Sequence, residues 1–264
     1  MSKIIDFDNP ISFPQSLYTW DERFEQEILR RVSLKGVSEW WQIEQQLQDM
    51  HIYDSEIVSN YLQNHMDDEV AVCHCTRILD IEQYKKEGII TGGGHGSIAE
   101  IRLRNLLLSI GLGKKEIDEI FSHIYYYWDR DKTSRTQAVH FFIDSSQVYK
   151  NDQINHFAVS LGGEILRWAI EDMGKNLYQS EPYKRLLIKG TPCVVKFKCK
   201  LSNIEEPDRK FLLAEIVKYS IVTKIFDYSY EFNLTGKTIG SVPSHDIISI
   251  EKIHRYVETK EKHH

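Results

Sequence analysis

The sequence predicts an α+β fold, with a helical subdomain at residues 1–68 followed by a mixed domain at 69–264. Three observations predict it. Apolar residues recur at helical spacing through most of the first 68 residues. The run Val70-Ala71-Val72-Cys73 then breaks that period, and further strand candidates cluster late, at 138–143, 193–199 and 225–234, with a last short one at 247–250. Strands and helices follow one another without a regular βαβ alternation, which argues against a doubly wound parallel sheet.

Each element has a local reason. Residues 1–17 carry Pro10 and Pro14 between isolated apolar residues, which suits an extended arm lying on the body of the protein. Asp21 is the N-cap expected for a first helix with Phe24, Ile28, Leu29 and Val32 on one face, and Gly36 stands where a C-terminal cap belongs. Ser38 opens a second helical segment through Trp41, Ile43 and Leu47, and Asp54 or Ser55 a third through Ile57, Val58, Tyr61 and Leu62. After the 70–73 strand come a helix over 81–87 and the loop Gly92-Gly93-Gly94-His95-Gly96-Ser97. Ser97 with Glu100 fits a capping box at the start of the next helix. A further helix spans about 114–128, and a long amphipathic one about 154–173.

The bulk numbers exclude some functions. Lys plus Arg number 33 against 39 Asp plus Glu among 264 residues, a formal charge of −6, so no global basic field draws the chain to nucleic acid or to an anionic membrane. No apolar stretch approaches the roughly 20 residues that span a bilayer, which predicts a soluble, cytoplasmic protein without a membrane partner. The four cysteines, Cys73, Cys75, Cys193 and Cys199, lie in apolar strand-like runs and read as reduced core thiols.

Several motifs carry possible chemistry. His74-x-Thr76 at the end of a buried strand puts a ring nitrogen and a hydroxyl on one face, where they can grip a polar ligand. Cys73-His74-Cys75 has the residue types of a metal site, but adjacent strand residues alternate faces and no second ligand pair completes a tetrahedron, so no metal is expected. The loop at 92–97 opens a helix as phosphate-binding loops do, yet its spacing is neither that of a P-loop nor of a dinucleotide fingerprint, and a turn is the better reading. No Gly-x-Ser-x-Gly elbow is present. Gly162-Gly163 precedes Glu164 inside a helical pattern, which suggests a close approach there. Glu231 lies in Tyr228-Ser229-Tyr230-Glu231-Phe232, where alternation puts the aromatic rings on one face and Ser229, Glu231 and Asn233 on the other.

Taken in order, these pieces resemble the diphtheria-toxin-type ADP-ribosyltransferases of the His-Tyr-Glu class over roughly residues 69–254. His74-Cys75-Thr76 stands where that family has His-Gly-Ser/Thr, followed by a helix and Glu87-Gly88-Ile89. Val139-His140-Phe141-Phe142-Ile143-Asp144 is similar to its Gly-Ile-Tyr-Phe-Ala-Asp, and Glu231 before Val242-Pro243-Ser244-His245-Asp246-Ile247-Ile248 resembles its glutamate strand and closing strand. The resemblance implies a split β-sheet core behind the N-terminal helices, with NAD as substrate and ADP-ribose passed to a protein, a nucleic acid, a small molecule or water. It implies that His74, Thr76 and Arg77 hold the nicotinamide and its ribose, and that His140 or Phe141 lies against the ring. Tyr149 or Phe157 would form the second aromatic wall, and Glu231 would bind the ribose 2′-OH. The chain departs from the family in having Phe141 where the second-motif tyrosine stands. Toxin and defence-effector roles occur in this family, and RNA 2′-phosphotransferases share the fold and would use Arg77, Arg102 and Arg104. A binding module without catalysis is the alternative from another class.

Overall fold

The computed structural model describes residues 4–91, 93–130, 136–150, 163–174, 184–185 and 188–253. In chain order the elements are β1 (Ile4–Asp6), α1 (Glu22–Arg31), α2 (Trp40–Gln48), α3 (Glu56–His65), β2 (Glu69–Ile78), α4 (Ile81–Glu87), α5 (Ile98–Ser109), α6 (Lys114–Arg130), β3 (Ala138–Phe142), α7 (Gln147–Lys150), α8 (Gly163–Asp172), β4 (Thr191–Lys200), α9 (Glu206–Ser220), β5 (Thr235–Ile239) and β6 (Ile247–Lys252). This is an α+β chain. No helix among the described residues is long and apolar enough to cross a membrane.

The chain forms two compact units. Unit 1 comprises residues 1–72, 142–144 and 198–236, and unit 2 comprises 73–141, 145–197 and 237–264. The division is not linear, because the N-terminal helices share unit 1 with the 198–236 segment that the sequence assigns to the second domain.

In unit 1 the arm is anchored. Ile4, Ile5 and Asp6 pair in parallel with Glu69, Val70 and Ala71, and Ile5, Phe7, Phe13 and Leu17 are buried. Asp21 caps α1 by accepting the Phe24 N–H at 2.9 Å, and Ser55 caps α3. Glu39, rather than Ser38, caps α2: its side chain and that of Gln42 satisfy each other's backbone N–H groups in a capping box. The helix α9 has no counterpart in the sequence reading. Leu212, Leu213, Ala214, Ile216 and Val217 are all buried, so it offers no polar face and no helical stripe. Pro207 opens it where a missing N–H costs nothing.

The expected strand at 225–234 does not form. A π-helical turn, Ile221–Ile225, prolongs α9, Asp227 adopts φ 56°, and the chain then runs extended to β5 without belonging to a ladder. Its alternation is nonetheless real, with Tyr228, Tyr230 and Phe232 turned inward while Ser229, Glu231 and Asn233 are exposed. Phe232 packs against Phe7 and Tyr219 at ring-centroid distances of 5.0 and 5.4 Å. Side-chain packing holds its middle, while single backbone hydrogen bonds hold its ends, from Tyr228 N–H to the Val222 carbonyl at 3.1 Å and from Ile143 N–H to the Leu234 carbonyl at 3.3 Å.

The strands β2 to β6 follow the order β5-β3-β2-β4-β6 in one sheet, with β1 beside β2. β6 runs antiparallel to β4, with an irregularity between Lys196 and Phe197. A helical layer is built from Leu107 and Ile110 of the α5 end, Ile120, Phe121 and Ile124 of α6, and Leu166, Ala169 and Ile170 of α8. The described part of the expected 154–173 helix is α8; the Glu164 side chain and Phe157 lie outside the described residues.

Candidate functional site

The middle of β2 alternates as the sequence implies. Cys73 and Cys75 are buried, whereas His74 and Thr76 are only partly so and share the other face. All four cysteines are buried thiols outside any disulfide. Among the described residues no group of three or more His, Cys, Asp or Glu side chains has the geometry to hold a metal ion.

The ring of His74 is fixed by its neighbour strand. Its Nδ1 lies 2.8 Å from the main-chain oxygen of His140 on β3. A carbonyl oxygen only accepts, so Nδ1 carries the proton, and in the neutral ring Nε2 keeps its lone pair. Burial pulls the His74 pKa below the ordinary histidine value and outweighs the hydrogen bond to His140, which favours the charged form. His74 is therefore a neutral acceptor of fixed tautomer.

Within unit 2, His74, Thr76 and Arg77 line a cleft of about 670 Å³, together with Tyr84 of α4 and Arg102 and Asn105 of α5. That volume suits a small ligand. Asp80 caps α4 by accepting the N–H groups of Glu82 and Gln83 at 2.9 and 3.1 Å, which sets Tyr84 on the cleft side of a short helix. Burial pushes the Tyr84 phenol well up, so it stays a hydroxyl donor. Arg102 pairs with Glu87, and the Arg77 guanidinium donates to the carbonyls of Lys189 and Gly190 at 3.3 and 3.4 Å. Tyr84, Asn105 and Gly190 carry no signal in the sequence, because only the tertiary fold brings them beside β2.

One further sequence motif lines this cleft and pairs with another. Gly88 and Ile89 line it, and Ile89 pairs with Val242 through two 2.9 Å backbone hydrogen bonds. Gly88 is required there. Its φ is 82°, and a Cβ would stand 2.1 Å from the Val242 oxygen.

The Gly96 end of the 92–97 loop is occupied by the protein's own carboxylate. Ser97 caps α5 at the Glu100 N–H, and the Glu100 carboxylate accepts the Gly96 N–H at 2.7 Å, the position a bound anion would take. Glu100 also accepts from Arg104 at 2.7 Å and from the Tyr125 hydroxyl, and Arg104 reaches Asp118 at 2.7 Å. Burial alone would raise the Glu100 pKa, but the hydrogen bonds from Tyr125, Arg104 and Gly96 hold it at about 2. Arg104 is thus committed to a structural network.

The other expected site residues are placed as follows. Phe141 is 2% exposed and belongs to the core, whereas His140 is the exposed ring of β3. Tyr149, on α7, is 52% exposed. His74, Thr76, Arg77, His140, Phe141 and Tyr149 belong to unit 2 and Glu231 to unit 1. Glu231 is exposed on the extended stretch before β5.

No family model, curated protein or solved structure matches this chain.

Proposed function

We propose that the protein binds NAD with the nicotinamide and its ribose at His74 and Thr76, and that it cleaves the bond between them. The observation that carries this reading is the His74 ring, held by the His140 carbonyl on the adjoining strand at the floor of the unit 2 cleft. It joins the first two motifs of the resemblance, while the Ile89–Val242 pair joins two more at the same cleft. A neutral Nε2 accepts a hydrogen bond from a ribose hydroxyl, and the Thr76 hydroxyl and the backbone beside it serve the amide.

In the reaction the C–N bond between ribose C1′ and the pyridinium nitrogen breaks, and its electron pair leaves with neutral nicotinamide. The ribose carbon becomes oxocarbenium-like and is captured by the acceptor, which gives up a proton. A second reading, a binding module without turnover, is favoured by the burial of Phe141, which removes the second-motif ring from the surface.

Titration calorimetry with NAD tests the binding step. Thr76→Val and His74→Ala should each weaken binding by about tenfold, the scale of one lost hydrogen bond. Binding unaltered by both changes, or no binding to the unaltered protein, contradicts the proposal.

A further inference from the structure

Unit 1 carries a groove of about 810 Å³, lined from α1, α3 and the turns before them, that plays no part in NAD binding at the unit 2 cleft. The volume falls within the roughly 300–1,000 Å³ of small-ligand pockets. Trp20, Phe24, Met50 and Ile57 form its apolar part and are only partly buried, with the Trp20 and Phe24 rings 5.7 Å apart. A ligand laid on them removes that surface from water. Several polar groups of the groove are already committed: Arg31 pairs with Glu27 at 2.6 Å, Asp21 accepts the Phe24 N–H, and the Tyr61 hydroxyl donates to Asp68 at 2.6 Å. Others keep capacity. Among the described residues no hydrogen bond or ion pair reaches the Arg23 guanidinium, the Glu56 carboxylate or the Asn60 carboxamide, and Asn64 uses only Nδ2, on the Asn60 carbonyl at 2.9 Å.

We propose that this groove binds a short peptide segment in which a basic and an acidic residue flank large apolar ones, an inference independent of the NAD reading. Arg23 stands on α1 and Glu56 on α3, so the groove offers one cation and one anion that are not paired with each other. That arrangement complements a ligand carrying both charges. Asn60 and Asn64, one turn apart on α3, share a face. A carboxamide presents an acceptor beside its donors, as a peptide group requires, so this pair can hold the main chain while an apolar side chain lies on Trp20 and Phe24. A phosphate-bearing ligand fits less well, because Glu27 neutralises Arg31 and the unpaired Glu56 repels an anion.

The test is calorimetric titration of the full chain with acetyl-Lys-Leu-Leu-Asp-amide and its reverse, acetyl-Asp-Leu-Leu-Lys-amide, beside acetyl-Gln-Leu-Leu-Asn-amide and AMP. One of the charged peptides should bind with Kd below about 1 mM, and the neutral peptide and AMP at least about fivefold more weakly. Arg23→Gln and Glu56→Gln should each weaken binding about three- to fivefold, the scale of an exposed ion pair, and Asn60→Leu about tenfold. Both charged side chains are exposed, so their removal should leave the urea midpoint unchanged. Once Asn replaces Asp in the peptide, Arg23→Gln should cost nothing further, the coupling that a direct contact requires. Absence of binding by either charged peptide at about 1 mM overturns the proposal. Binding that Arg23→Gln and Glu56→Gln leave unaltered overturns it too, as does tighter binding of AMP than of both charged peptides.

Discussion

Replacing Gly88 by alanine should destabilise the protein by about 2–6 kcal/mol. Gly88 has φ 82° and ψ −162°, a backbone region that is essentially reserved for glycine and costs other residues about 1–3 kcal/mol. The new Cβ would meet the Val242 oxygen at 2.1 Å, the Ser244 nitrogen at 2.8 Å and the Pro243 carbonyl carbon at 2.9 Å. All three are backbone atoms, so no side chain can swing aside. Relief requires parting Ile89 from Val242, whose two hydrogen bonds contribute about 0.5–1.5 kcal/mol each. Gly174→Ala is the control: its φ is 68° with no atom of the described residues within 4 Å of the added Cβ, so the left-handed backbone cost of about 1 kcal/mol applies. Urea unfolding of the two variants beside the unaltered protein measures both numbers. A Gly88→Ala cost no larger than that of Gly174→Ala would refute the reasoning.

Two further predictions concern protons. Glu100 has a folded pKa of about 2 against an ordinary 4.5, so its contribution to stability is complete above about 4.5 and is lost as the pH falls toward 2. Urea midpoints of the unaltered protein and Glu100→Gln should therefore converge across that window, and a constant gap down to pH 2 would contradict the Glu100 network. The His74 pKa is lowered too and acts on stability in the same sense, since burial favours the neutral ring and protonation opposes folding as the pH falls below its ordinary 6.5. Nitrogen-15 NMR should find His74 protonated at Nδ1 and bare at Nε2 at pH 6.5, whereas a half-charged ring or the opposite tautomer would remove the acceptor from the cleft.

The parts of the fold legible in the sequence are those with local punctuation. Asp21 and Ser97 cap the helices the sequence assigns to them, and Ser55 is the one of the pair Asp54 or Ser55 that caps the third, because a short acceptor side chain before an apolar period has one economical use. The helix α9 was invisible for the opposite reason. Burial on every side erases the polar stripe, and Pro207 reads as a breaker unless its place in the first turn is known. Residues 228–234 show the limit of alternation as evidence: extended conformation and facing were legible, but ladder membership depends on a partner elsewhere in the chain.

The candidate site divides in the same way. The facing of His74 and Thr76 followed from period two, whereas Gly88 entered only through the resemblance, as part of Glu87-Gly88-Ile89. The His140 carbonyl that fixes the His74 tautomer is a backbone atom with no sequence signature, and the Ser97-to-Glu100 spacing marks a capping box without showing that Glu100 reaches the Gly96 N–H.

The central claim is most directly tested by incubating the protein with NAD and measuring released nicotinamide, beside Thr76→Val and His74→Ala. Release is expected from the unaltered protein and about tenfold less from each variant at limiting NAD, the scale of one lost hydrogen bond. Release that is equal in all three proteins, or absent from the unaltered one, would contradict it.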